Sequence, residues 1–222
     1  NGLIAGDVVA VSSSGAFNDK NAGLNKSVNL VNTFSGIDRT NYFITDQAST
    51  VASITPKSIS LSGVTASNKV YDGTTSAAVS GGALSGVIAG DVVTVSSSGA
   101  FADKNAGTNK QVSLASIFGG IDANNYAVTG QVSTIASIAK QVVALAGIVA
   151  ADKVYDGSTS AAVSTSGATI AGLVAGDTVS VTSSGSFIDK NAAVGKQVLL
   201  TNTFGGLDAG NVAEAVRQVR PA

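Results

Sequence analysis

The stretch "GDVVTVSSSGAFADKNAG", Gly90 to Gly107, decides how this chain is read. Its first half alternates, Val93 and Val95 against Val92 and Thr94, which is the period of a half-buried β-strand. It then breaks at Asp103-Lys104-Asn105, residue types that favour turns. The stretch returns as "GDVVAVSSSGAFNDKNAG" from Gly6 and as "GDTVSVTSSGSFIDKNAA" from Gly176, spacings of 84 and 86 residues. Solenoid and propeller periods run from roughly 20 to 50 residues, so a unit this long reads as a small domain with its own core.

Outward from that stretch the pattern holds. Val112 and Leu114 alternate with Gln111 and Ser113, and short runs rich in Val, Ile, Thr and Tyr lie between turn clusters at Asp72-Gly73, Gly90-Asp91, Asp103 to Gly107 and Gly119 to Asn125. About six or seven short strands per unit are expected, as in a sandwich. In "DRTNY" (Asp38 to Tyr42) and "DANNY" (Asp122 to Tyr126) an acid precedes a strand-opening tyrosine, a spacing that suits a tyrosine corner whose phenol bonds back to upstream backbone. The expected fold is all-β: tandem Greek-key or immunoglobulin-like β-sandwich modules of about 84 residues in an elongated rod. The third copy reads "DAGNV", so Val212 removes the hydroxyl from that corner.

The expected divisions are an incomplete first repeat over 1–55, a complete repeat over 56–139, and a third over 140–222 with a divergent end. Asn1 aligns with Ser85, so the first copy is expected to lack its front strands. The chain opens without a methionine or an apolar leader and reads as a mature product or an excised fragment. The last stretch, "VAEAVRQVRPA" from Val212, spaces valines at 212, 216 and 219 and is expected to be a short helix or frayed end. The junctions "ASITPKSISLSG" (Ala52 to Gly63) and "ASIAKQVVALAG" (Ala136 to Gly147) contain no flexible spacer, so neighbouring modules should meet with little slack.

Composition removes whole classes of function. Thirteen basic residues against fourteen acidic ones leave no cationic face for phosphates, so nucleic acid is not an expected partner. Cysteine and histidine are both absent, which excludes disulfides, thiolate metal sites and histidine-based triads. No run of about 18 apolar residues occurs, so no transmembrane segment is expected. A sandwich can carry a glycosidase site built from paired carboxylates, yet Glu214 is the only glutamate and sits in the divergent end, so the chain is not read as an enzyme.

Five ordered blocks, "KVYDGTTSA" (Lys69 to Ala77), "GVIAGDVVTV" (Gly86 to Val95), "FADKNAG" (Phe101 to Gly107), "GIDANNY" (Gly120 to Tyr126) and "STIASI" (Ser133 to Ile138), resemble the YDG repeat domain of bacterial extracellular proteins, including filamentous-haemagglutinin-like adhesins. The resemblance implies a glycine-rich β module, repeated in tandem in secreted or surface-attached proteins, without known catalysis. It places the chain outside the cell or on the bacterial surface.

Several residues are candidates for more than structure. Tyr71-Asp72-Gly73 and Tyr155-Asp156-Gly157 read as loops in which glycine takes positive φ and aspartate bonds local backbone; the alternative is a Tyr/Asp pair that contacts sugar. Asp103 with Asn105, and Asp189 with Asn191, are calcium candidates, yet each turn supplies too few oxygens and would need another acid such as Asp91 or Asp177. No other cofactor is expected. A Lys-to-Asn isopeptide link is a further reading of the repeated "DKN".

The functional expectation is a structural repeat region, or stalk, of a secreted or surface-attached bacterial adhesin, with a mechanical and multivalent role in cell-surface or biofilm contacts. Its partners would be neighbouring repeats of the same or a larger chain. The alternatives are a self-assembling fibre subunit joined by strand complementation into a homo-polymer, and a module that binds a surface glycan or calcium.

Overall fold

A computed structural model of the chain describes residues 2–215. These residues are almost entirely β-stranded, in several small sheets, with one 3-10 turn in each repeat (Arg39–Asn41, Ala123–Asn125, Ala209–Asn211). No helix among them is long and apolar enough to cross a membrane.

In the first repeat, β1 (Ala10–Phe17), β2 (Gly23–Ser35) and β3 (Ser49–Ile54) form an antiparallel sheet in that order. The middle repeat supplies β4 (Lys57–Ala66), β5 (Lys69–Val70), β6 (Ser76–Ala77), β7 (Val79–Ser85), β8 (Thr94–Phe101), β9 (Gly107–Gly119), β10 (Tyr126–Thr129) and β11 (Ser133–Ala139). Eight strands stand where six or seven were expected, because β5 and β6 are two-residue pieces. They form a five-stranded sheet, β5-β11-β9-β8-β6, and a three-stranded one, β10-β4-β7.

The third repeat contains β12 (Gln141–Ala146), β13 (Val149–Ala150), β14 (Ser160–Ala161), β15 (Val163–Ser164), β16 (Thr169–Ala171), β17 (Ser180–Phe187), β18 (Val198–Gly205) and β19 (Val212–Glu214). The expected helix from Val212 is corrected at its start: β19 pairs in parallel with β12, Val212 opposite Gln141. Three valines at helical spacing carry only a weak preference, and a ladder to a buried strand outweighs it. Val216 and Val219 lie outside the described residues.

The alternation of β8 is realised residue by residue. Thr94, Ser96, Ser98 and Ala100 face solvent, while Val95, Ser97 and Gly99 are half-buried and Phe101 is buried. Gly99 sits on the inward face, where an added Cβ would lie 2.6 Å from Val79 Cγ1 and 3.0 Å from Val112 Cγ1. Close approach of three strands therefore requires glycine there.

By compactness the chain falls into two units. One holds the chain up to Gly63 with Gly82–Ser96 and Ser116–Gln131; the other holds Val64–Gly81, Ser97–Ala115 and the chain from Val132 onward. The division passes through β4, β7, β8 and β9 of the middle repeat. Each unit thereby contains one junction between consecutive repeats. In the second unit the core gathers Tyr71, Ala77, Phe101, Val112, Ala136 and Ile138.

Candidate functional site at the repeat junctions

The Asp-Lys-Asn turn after β1, β8 and β17 is built the same way each time. Asp103 Oδ1 accepts from the Asn105 backbone N–H at 2.8 Å and from Lys110 Nζ at 2.6 Å. In the third repeat Asp189 Oδ1 takes the Asn191 N–H at 2.7 Å and the Lys196 ammonium; in the first, Asp19 takes Asn21 and Lys26. The lysine, and then the backbone N–H, hold all three carboxyls below the ordinary carboxylate range. This bonding leaves the middle residue, Lys20, Lys104 or Lys190, to project from the turn.

An acceptor forms at the other end of each repeat. Tyr126 OH donates to Asp91 Oδ2 at 2.6 Å and itself accepts from the Ile88 backbone N–H at 3.0 Å. The Val92 N–H donates to Asp122 Oδ2 at 2.9 Å. The phenol thus does bond to upstream backbone, and Tyr42 repeats the arrangement with Asp7 and Ile4 at 2.6 and 2.9 Å. In these two repeats each acid spends Oδ2 within its own repeat and turns Oδ1 outward; in the third, Asp208 Oδ2 takes the Thr178 N–H at 2.9 Å, while Val212 offers no hydroxyl to Asp177.

Turn and acceptor meet in the first unit. Lys20 Nζ lies 2.6 Å from Asp91 Oδ1 and 3.1 Å from Asp122 Oδ1. Beside it Asn125 Oδ1 accepts the Ala22 backbone N–H at 2.7 Å, and Asn125 Nδ2 donates to Asn21 Oδ1 at 3.2 Å. These bonds, Asp91 first, push the Lys20 ammonium up to about 12, and Lys20 with Tyr126 holds the Asp91 carboxyl low.

The second unit repeats the clasp. Lys104 Nζ reaches Asp208 Oδ1 at 3.0 Å and Asp177 Oδ1 at 3.4 Å; Asn211 takes the Ala106 N–H at 2.8 Å and donates to Asn105 at 3.2 Å. Asn211 is only 3% exposed here. A further bond joins this junction, from Tyr71 OH to Asp177 Oδ1 at 2.8 Å, with Lys104 Nζ 5.7 Å from the Tyr71 ring centroid.

The Tyr-Asp-Gly segments fold as local loops. Lys69 Nζ bonds Asp72 Oδ1 at 2.7 Å and the Thr74 carbonyl at 2.8 Å, while the Thr74 N–H donates to Asp72 Oδ1 at 2.9 Å. Gly73, at φ +77°, turns the chain where a Cβ would be strained. Lys69, then Thr74, draws the Asp72 carboxyl down to about 2. Lys153, Asp156 and Ser158 reproduce the loop, with Asp156 also at about 2.

The sugar-contact candidates part company. Tyr71 is 2% exposed, so it offers no ring face to a ligand, whereas Tyr155 is 59% exposed. Tyr155 lines a cleft of about 320 Å³ with Lys153, Phe187, Lys190, Lys196 and Val198. Asp72 and Asp156 are engaged by Lys69 and Lys153.

The calcium candidates Asp103 and Asp189 each carry a lysine ammonium on Oδ1, and Asn105 is engaged with Asn211. The acids Asp91 and Asp177 do converge on the Asp-Lys-Asn turns, but the cation they meet is Lys20 or Lys104. Among the described residues no group of three or more His, Cys, Asp and Glu gathers. Lys20 and Lys104 place their ammoniums on carboxylates, Asp91 and Asp122 for the first and Asp177 and Asp208 for the second. Sequence reading missed Asp122, Asn125, Asp208 and Asn211 as partners of the turn; their recurrence in "GIDANNY" and "GLDAGNV" was the available signal.

The YDG domain family model matches the chain in three consecutive stretches, residues 1–50, 55–134 and 139–213. No curated protein and no solved structure matches it.

Proposed function

Since the chain belongs to the YDG domain family along nearly all its length, we propose that it is a stalk region of a secreted or surface-attached bacterial adhesin, without catalytic activity. In this reading, modules of about 84 residues, each a β-sandwich, follow one another as an elongated rod and hold a binding tip away from the cell, or contribute many weak contacts within a biofilm. The observation that carries it is the recurrence of the junction. The polar residues that repeat from copy to copy, Lys20 with Asp91 and Asp122, and Lys104 with Asp177 and Asp208, are spent on joining one repeat to the next.

The test is to display the chain between a cell-surface anchor and a reporter binding domain, and in parallel to offer the isolated chain to glycan arrays and host cells. A stalk projects the reporter and binds nothing saturably by itself. Saturable binding of the isolated chain to a glycan or a cell overturns the reading.

A further inference from the structure

Between the middle and third repeats the chain changes sheets within a single residue. Strand β11 ends at Ala139 in the five-stranded sheet of the middle repeat, and β12 begins at Gln141, where it pairs with β16 and β19 of the third. Only Lys140 lies between them, exposed and in neither ladder. A residue outside both ladders keeps its two soft backbone dihedrals, and changes at a few such positions are enough to swing one packed element against another.

Tyr71 grips the chain on both sides of Lys140. Its strand β5 runs parallel to the end of β11, Lys69 opposite Ile138 and Val70 opposite Ala139, and the Tyr71 N–H donates to the Ala139 carbonyl at 2.8 Å. The Tyr71 side chain is buried in the core of the middle repeat with Phe101, Val112 and Ile138. Its hydroxyl crosses to the third repeat and donates to Asp177 Oδ1 at 2.8 Å. Val174, three residues before Asp177, packs against the same core, and a Cβ on Gly73 would lie 3.0 Å from Val174 Cγ1. The Asp177 side chain is 2% exposed, so its bond to Tyr71 is shielded from salt as the 40% exposed Lys104 is not.

We infer that Lys140 is a hinge between the middle and third repeats, and that Tyr71, through its bond to Asp177, is the latch that holds the hinge at one angle. The buried ring and the Ala139 bond anchor the latch in the middle repeat, so it releases at the hydroxyl. With that bond broken the ring stays in its core and both repeats stay folded, while the third samples a wider range of angles about Lys140. This does not rest on the stalk reading, since a chain that bound a receptor would keep the same hinge.

The chain has no cysteine, so Ser113→Cys in β9 and Thr201→Cys in β18, both exposed, place spin labels on the two sides of the hinge. Pulsed electron paramagnetic resonance on the whole chain then reads the spread of distances between them. The expected result is a narrow distribution in the labelled parent and one roughly twofold wider in Tyr71→Phe, which keeps the ring and removes the hydroxyl. In an Asp177→Ala background the distribution is already wide, and Tyr71→Phe adds nothing to it. A Tyr71→Phe distribution as narrow as the parent's overturns the proposal. So does equal widening by Tyr71→Phe with and without Asp177, which would place the effect in the core of the middle repeat.

Discussion

Tyr126 donates a 2.6 Å hydrogen bond to Asp91 Oδ2, and in the third repeat Val212 stands at the tyrosine's position while Asp177 Oδ2 is buried without a hydrogen-bond partner among the described residues. A lost hydroxyl and an orphaned carboxylate oxygen are the two halves of one missing bond. Val212→Tyr is therefore expected to stabilise the second unit by about 1–3 kcal/mol, the usual cost of an unsatisfied buried group. Thermal unfolding of Val212→Tyr and Val212→Phe checks this, since phenylalanine fills the space without the hydroxyl. Equal melting temperatures for the two variants would sink the explanation.

Lys20 is 67% exposed yet held at about 12 by Asp91 and Asp122. A raised folded-state value means that the clasp contributes its stability below the ordinary lysine value of about 10.4 and loses it as pH rises through 12. NMR titration of the Lys20 ε-methylene should show a midpoint well above that of a free lysine. Asp91→Asn should bring it down; an unchanged midpoint would separate the titration from the junction.

Asp72 runs the other way. Its carboxyl is drawn down to about 2, so the loop's contribution is complete above about pH 4 and fades as pH falls toward 2. Carboxyl titration followed by NMR should place Asp72 near 2 in the intact chain and clearly higher in Lys69→Ala, where only the Thr74 bonds remain. An Asp72 midpoint indifferent to Lys69 would contradict the loop geometry.

Gly99 has no room for a methyl group between Val79 and Val112. Gly99→Ala is expected to cost about 1–3 kcal/mol by overpacking. Chemical denaturation should show part of that loss recovered in Gly99→Ala/Val79→Ala, because Val79 Cγ1 is the nearest atom. No recovery in the double variant would place the strain elsewhere.

The β character of the chain, the recurrence of its units and the form of its turns were legible in the sequence, because each rests on local rules. The alternation in β8 and β9 reports a pleated, half-buried strand within a few residues, and Asp72-Gly73 or Asp103 to Asn105 build their turns from neighbours two to seven positions away. Strand β19 was not legible, since Val212 to Glu214 is defined by β12, 71 residues earlier.

The sequence by itself determined which residues recur; only the tertiary structure decided which copy answers which. Lys20 finds Asp91 at a separation of 71 residues and Asn105 finds Asn211 at 106. In a tandem repeat every lysine has an equivalent set of aspartates in its own copy and in the next, and composition cannot distinguish them. The distinction is geometric: the turn's own aspartate is engaged by Lys26, Lys110 or Lys196, and Lys20 and Lys104 are brought by the packing of consecutive repeats onto the acids of the repeat that follows.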